Sequence, residues 1–116
     1  MARDLSFWKY TDGVYLDNQD VYKKLSGSVF VDGLESLPIP KILSDIEQAF
    51  INWNKESDVD FQKGDSSFQI FMTGQFVRID CYSMLDDDLN TIIDILYEYD
   101  CPLYDSQISA RFDSRN

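Results

Sequence analysis

The segment Asp65 to Tyr82 carries a side-chain pattern that fits one β-hairpin register. If Gly74-Gln75 form a two-residue turn with glycine first, Met72 pairs with Val77, Ile70 with Ile79 and Phe68 with Cys81, and every apolar partner lands on one face. The other face then sets Phe71 opposite Arg78 and Gln69 opposite Asp80, as in an antiparallel sheet with one wet side. Such a hairpin is unstable alone and needs a second layer over its apolar face.

Two amphipathic helices supply that layer. Ile39, Ile42, Leu43, Ile46, Ala49, Phe50 and Trp53 recur at steps of three and four, which predicts a helix between Pro40 and Asn54 with Ser44, Asp45, Glu47, Gln48 and Asn52 facing away. Pro40 suits a first turn, where no N–H donor is needed. A second helix is expected from Asp86 to Tyr99, burying Leu85, Leu89, Ile92, Ile93 and Leu96. Asp86-Asp87-Asp88 opens it, where a side-chain oxygen can cap free amides and negative charge meets the positive end of the dipole. Asp17 to Leu25, with Val21, Tyr22 and Leu25 at helical spacing behind Asn18 and Asp20, reads as a short helix or turn.

Further strands are expected at Val29-Phe30-Val31 and along Gln107 to Phe112, which alternates with period two. The runs Phe7 to Tyr10 and Val14 to Leu16, on either side of Thr11-Asp12-Gly13, suggest an N-terminal hairpin. From residue 29 the order is then strand, helix, strand, strand, helix, strand. The expected fold is a single α+β unit over residues 1–116: a two-layer sandwich, an antiparallel sheet with two helices on one face, ferredoxin-like with an extra hairpin in front.

The chain has no histidine, which removes Ser-His-Asp and Cys-His nucleophile systems, His-ligated zinc and imidazole proton transfer. The two cysteines, Cys81 and Cys101, neither complete a thiolate metal site nor form a CxxC pair, and they read as small buried hydrophobes of a reducing compartment. The glycines are too scattered for a phosphate loop. Asp58-Val59-Asp60 starts like a calcium loop, but Gln62, Lys63 and Gln69 stand where a third oxygen ligand, glycine and glutamate belong. From Asp86 the same test fails at Thr91 and Tyr97. No catalytic set, metal site or cofactor is expected. No apolar run reaches the roughly 20 residues of a membrane span, and Met1-Ala2-Arg3-Asp4-Leu5 lacks the pattern of a secretion signal, so the expected address is the cytoplasm.

Twenty-one Asp and Glu stand against ten Lys and Arg, a net charge of -11. Such a surplus costs stability through self-repulsion and points to a cationic partner. It also opposes direct nucleic-acid binding, although Phe71, Phe76 and Tyr82 share the wet face of the hairpin; those rings are expected to pack under the N-terminal hairpin. Asp58, Asp60, Asp65, Asp86, Asp87 and Asp88 are the candidate charged rim of a partner-binding surface, with Trp8 and Tyr15 as candidate apolar anchors.

Val77-Arg78-Ile79-Asp80-Cys81-Tyr82 and Cys101-Pro102-Leu103-Tyr104-Asp105-Ser106-Gln107 look like segments that recur in small bacterial proteins. In size, acidity and α+β layout the chain resembles the small immunity proteins of bacterial toxin systems, including contact-dependent growth inhibition. That resemblance implies a one-to-one protein partner, a cognate basic toxin domain and often a nuclease, neutralised without catalysis; it transfers no individual contact residue. Two other classes share the acidity: a DNA-mimic inhibitor of DNA-binding or restriction proteins, and a metal-dependent enzyme that works with paired carboxylates.

Overall fold

The computed structural model describes residues 2–112. In chain order its elements are β1 (Ala2–Phe7), α1 (Asn18–Ser26), α2 (Ile39–Ala49), β2 (Asn54–Lys55), β3 (Asp60–Lys63), β4 (Ser66–Thr73), β5 (Phe76–Tyr82), α3 (Asp86–Tyr97), β6 (Leu103–Asp105) and β7 (Ala110–Arg111). The β4–β5 hairpin has the predicted register throughout: Met72 faces Val77, Ile70 faces Ile79, Phe68 faces Cys81, Phe71 faces Arg78 and Gln69 faces Asp80. Its turn is stabilised by a bond from Gln75 N to Thr73 Oγ1 (3.2 Å), and Gly74 does not take the left-handed φ that a glycine-first turn calls for.

One antiparallel sheet runs in the order β2-β3-β4-β5-β1-β6-β7. Its central strands β4-β5-β1-β6, taken with α2 and α3, reproduce the strand order and chain order of a ferredoxin-like α+β sandwich. The outer assignments differ from those expected. The first core strand is Ala2–Phe7, and the last is Leu103–Asp105. Of the run Gln107 to Phe112 only Ala110–Arg111 forms a strand, a two-residue edge beyond β6. Val29 to Val31 is a loop, because the Gln75 side-chain amide occupies the Val31 backbone: Val31 N donates to Gln75 Oε1 (3.1 Å) and Gln75 Nε2 donates to Val31 O (2.8 Å).

The N-terminal hairpin does not form. Thr11-Asp12-Gly13 does turn, with Val14 N bonded to Thr11 O at 3.0 Å. The run before it, however, pairs with a distant segment: Thr11 N reaches Gly33 O (2.9 Å) and Glu35 N reaches Lys9 O (2.8 Å). Gly33 permits the crossing, since its φ is +97° and a Cβ there would sit 2.9 Å from Val14 Cγ1.

Period two divides the sheet residues between two faces. Leu5, Phe7, Phe68, Ile70, Val77, Ile79 and Cys81 pack against Ile42 and Ile46 of α2 and Leu89, Ile92 and Leu96 of α3. Each such side chain contributes roughly 1.5–3 kcal/mol by leaving water. Helix α2 ends at Ala49, short of the expected Asn54, yet Phe50 and Trp53 fold back onto Phe68 with ring centroids at 4.9 and 5.5 Å. On the other face Trp8, Phe76 and Tyr104 lie beneath Val21 and Leu25 of α1. The cover over Phe76 is therefore the segment between β1 and α2 rather than a hairpin, and it shields only part of the sheet. Gln62, Gln69 and Tyr82, on β3, β4 and the end of β5, remain exposed. No helix among the described residues is long and apolar enough to cross a membrane.

Candidate partner-binding surface

The turn from β5 into α3 gathers most of the predicted acids. Helix α3 directs Leu89, Ile92 and Leu96 inward, so its outer side carries Asp87, Asn90, Asp94 and Glu98. Asp86, Asp87, Asp88, Asp94, Glu98 and Asp100 lie in a stretch, 86–100, that has no Lys or Arg. Among the described residues only Asp100 of these acids has a basic partner, Lys9 Nζ at 3.6 Å. Elsewhere five acids are matched, Asp105 with Arg3 (3.1 Å), Glu35 with Lys9 (3.2 Å), Glu47 and Asp58 with Lys55 (3.2 and 3.5 Å) and Asp80 with Arg78 (3.0 Å), while others, Asp12, Asp17, Asp20, Asp32, Glu56 and Asp65 among them, form no ion pair among the described residues. Residues 86–100 are thus one acidic stretch, six carboxylates with no base among them, within a surface that is acidic elsewhere as well. The expected side-chain cap is absent, because Leu85 occupies the N-cap position and makes no such bond, so the three aspartates act on the helix terminus through charge.

Asp65 joins them through a contact distant in sequence. It lies in the β3–β4 turn, and its neighbour Ser66 donates from Oγ to Ser83 O at 2.7 Å, tying that turn to the one preceding α3. The end of β5 and the turn after it carry two exposed apolar side chains, Tyr82, 42% exposed, and Leu85, 67% exposed. Ser83 is held at φ +54°, a left-handed conformation uncommon for serine that Ser28, Asp100 and Ser109 also adopt. Apolar side chains bordered by charge are the usual anatomy of a protein interface.

The other predicted residues are placed elsewhere. Asp60 starts β3 and is separated from the Asp65 turn by the strand's length, about 10 Å at 3.3 Å per residue. Asp58 is fully exposed and paired with Lys55. Tyr15 is 58% exposed, its ring 6.2 Å from that of Tyr10. Trp8 is not an anchor: it is wholly buried, 5.1 Å from the Tyr104 ring and under the Arg111 guanidinium. Type and position in the sequence do not separate a core tryptophan from an interface one.

Sequence reasoning missed a second feature, on the uncovered half of the sheet. Strand register places Asp60, Gln69, Asp80 and Asp4 in one row across β3, β4, β5 and β1. Asp4 accepts from Ser106 Oγ (2.6 Å) and from the Tyr22 hydroxyl, and burial, followed by that Asp4 contact, raises the Tyr22 pKa. Asp80 holds Arg78 through two bonds (3.0 and 3.2 Å), and that guanidinium lies 4.7 Å from the Phe71 ring centroid. Asp60 accepts from Ser57 Oγ (2.6 Å), while its Oδ1 is buried with no donor among the described residues. Beside it a shallow cleft of about 360 Å³ is lined by Glu56, Asp60, Gln62, Ser67, Gln69 and Tyr82. The foreseen Gln69–Asp80 pair was the one sequence signal for this row.

Among the described residues no three His, Cys, Asp or Glu side chains come together as metal ligands. Cys81 and Cys101 are unpaired, and burial pushes both thiols up to about 12. Comparison with protein-family models, curated proteins and solved structures finds no match.

Proposed function

We propose that this chain is a non-catalytic inhibitor that docks its acidic end on one positively charged protein, in the manner of a bacterial immunity protein that covers the active site of a toxin domain in the cytoplasm. One observation carries the reading: the Ser66–Ser83 bond ties the Asp65 turn to the turn that opens α3, where Tyr82 and Leu85 are exposed and Asp86, Asp87 and Asp88 begin a stretch without a base. An enzyme that acts on nucleic acid has a basic cleft, and a rim of carboxylates meets it with fast, steered association while the apolar pair supplies contact area. The DNA-mimic alternative calls for evenly spaced acids; on α3, Asp87, Asp94 and Glu98 are separated by about 10 and 6 Å along the axis, which favours a single shaped partner.

The test begins at the adjacent upstream reading frame, which is expected to encode a secreted protein with a basic C-terminal domain, and proceeds by co-expression with that domain. Restored growth and a one-to-one complex on gel filtration are expected, whereas continued toxicity with the chain present in soluble form contradicts the proposal.

A further inference from the structure

We infer that the cleft on the uncovered half of the sheet receives an arginine side chain from the partner, its guanidinium between Glu56 and Asp60 and flat against Tyr82. This rests on the reading of the acidic end as a docking surface, since Tyr82 belongs to both. The molecule already binds one guanidinium on this face: Arg78 lies against Phe71 while Asp80 takes two of its N–H groups. Along the same row the cleft offers like chemistry to a partner: an exposed aromatic ring, two carboxylates and the amide oxygens of Gln62 and Gln69.

The chain's own lysines do not supply that cation. Lys55 and Lys63 pair across the strands with Phe61 and Ser66, and the alternation of side chains sends both to the helix-side face, away from Glu56, Asp60 and Gln62. Asp60 has a specific unmet demand, because one carboxylate oxygen is spent on Ser57 and the other is out of solvent with no donor. The preference for arginine over lysine follows from shape: a planar fork of donors matches paired carboxylates and stacks on a ring, and an ammonium does neither as well.

The experiment is an amide NMR titration of the whole chain with two capped tripeptides of equal charge, acetyl-Gly-Arg-Gly-amide and acetyl-Gly-Lys-Gly-amide. Expected are shifts centred on Gln62, Ser67, Gln69 and Tyr82, with the arginine peptide binding about threefold tighter. Asp60→Asn, which keeps the shape and the Ser57 bond, and Tyr82→Ala, at an exposed position, should each weaken the arginine peptide about fivefold while leaving the rest of the spectrum in place. Shifts confined to residues 83–88, no preference between the peptides, or unchanged binding in both variants overturns the cleft and leaves the docking of the acidic end standing. Arginine binding in the cleft together with failed growth rescue supports the cleft and defeats the inhibitor reading.

Discussion

Gln75 does the work of a strand with one side chain. Its buried amide satisfies both the N–H and the C=O of Val31, so Gln75→Ala leaves two buried backbone groups without partners and should cost about 2–4 kcal/mol, read from urea unfolding. At the thiols and Tyr99 the effect is set by pH. Burial holds Cys81 and Cys101 near 12 against an ordinary 9.0, and the Asp45 carboxylate that accepts from Tyr99 holds that phenol near 12 against 10.0. Below pH 9 all three are protonated in folded and unfolded chains alike. Between 9 and 12 the unfolded chain loses these protons first, so stability should be present in full below pH 9 and fall as pH rises to 12. Melting temperatures across that range check the sign, and Cys101→Ala should flatten the slope. Both thiols should resist an aromatic disulfide reagent at pH 8 until the chain unfolds.

Among the elements, the β4–β5 hairpin and the inward stripes of α2 and α3 were legible because their determinants are local, a turn between alternating runs and a repeat of three and four; Leu85, expected on the buried stripe, is instead the N-cap of α3 and 67% exposed. What was not legible depended on distant partners. Strand β1 reads Ala-Arg-Asp-Leu-Ser-Phe, with too little apolar pattern to announce a central strand, and only pairing with β5 and β6 buries Ser6 completely. The Phe7 to Leu16 turn signal was real, but its first arm found Gly33 to Glu35. For the site, the acids of α3 could be read from the sequence, whereas the meeting of Asp65 with them hangs on the Ser66–Ser83 bond. Helix α3 also shows a local deficiency. Leu85→Ser should add the missing N-cap and raise stability by about 1 kcal/mol in urea melts, while removing an exposed apolar contact from the proposed interface. A gain in stability paired with weaker partner binding distinguishes a retained interface residue from a neutral one.

The molecule as a whole carries -11 charges, and six of its acids fall in residues 86–100, on α3 and just beyond it, with no base among them. Self-repulsion follows, so added salt should raise the melting temperature by screening it. Asp94→Lys should stabilise the isolated chain by about 0.3–0.5 kcal/mol through a new pair with Glu98 one turn away, measurable by urea unfolding. Surplus charge that weakens the fold, with an uninterrupted acidic stretch on α3, makes physical sense as a device for meeting positive charge quickly. The most direct measurement is stopped-flow association with the proposed basic toxin domain, over a range of salt concentrations, for the natural chain and for a double reversal Asp65→Lys, Asp87→Lys. The reversal should slow association about tenfold at low salt and flatten its salt dependence. Equal rates and equal salt slopes for the two proteins would contradict the electrostatic account.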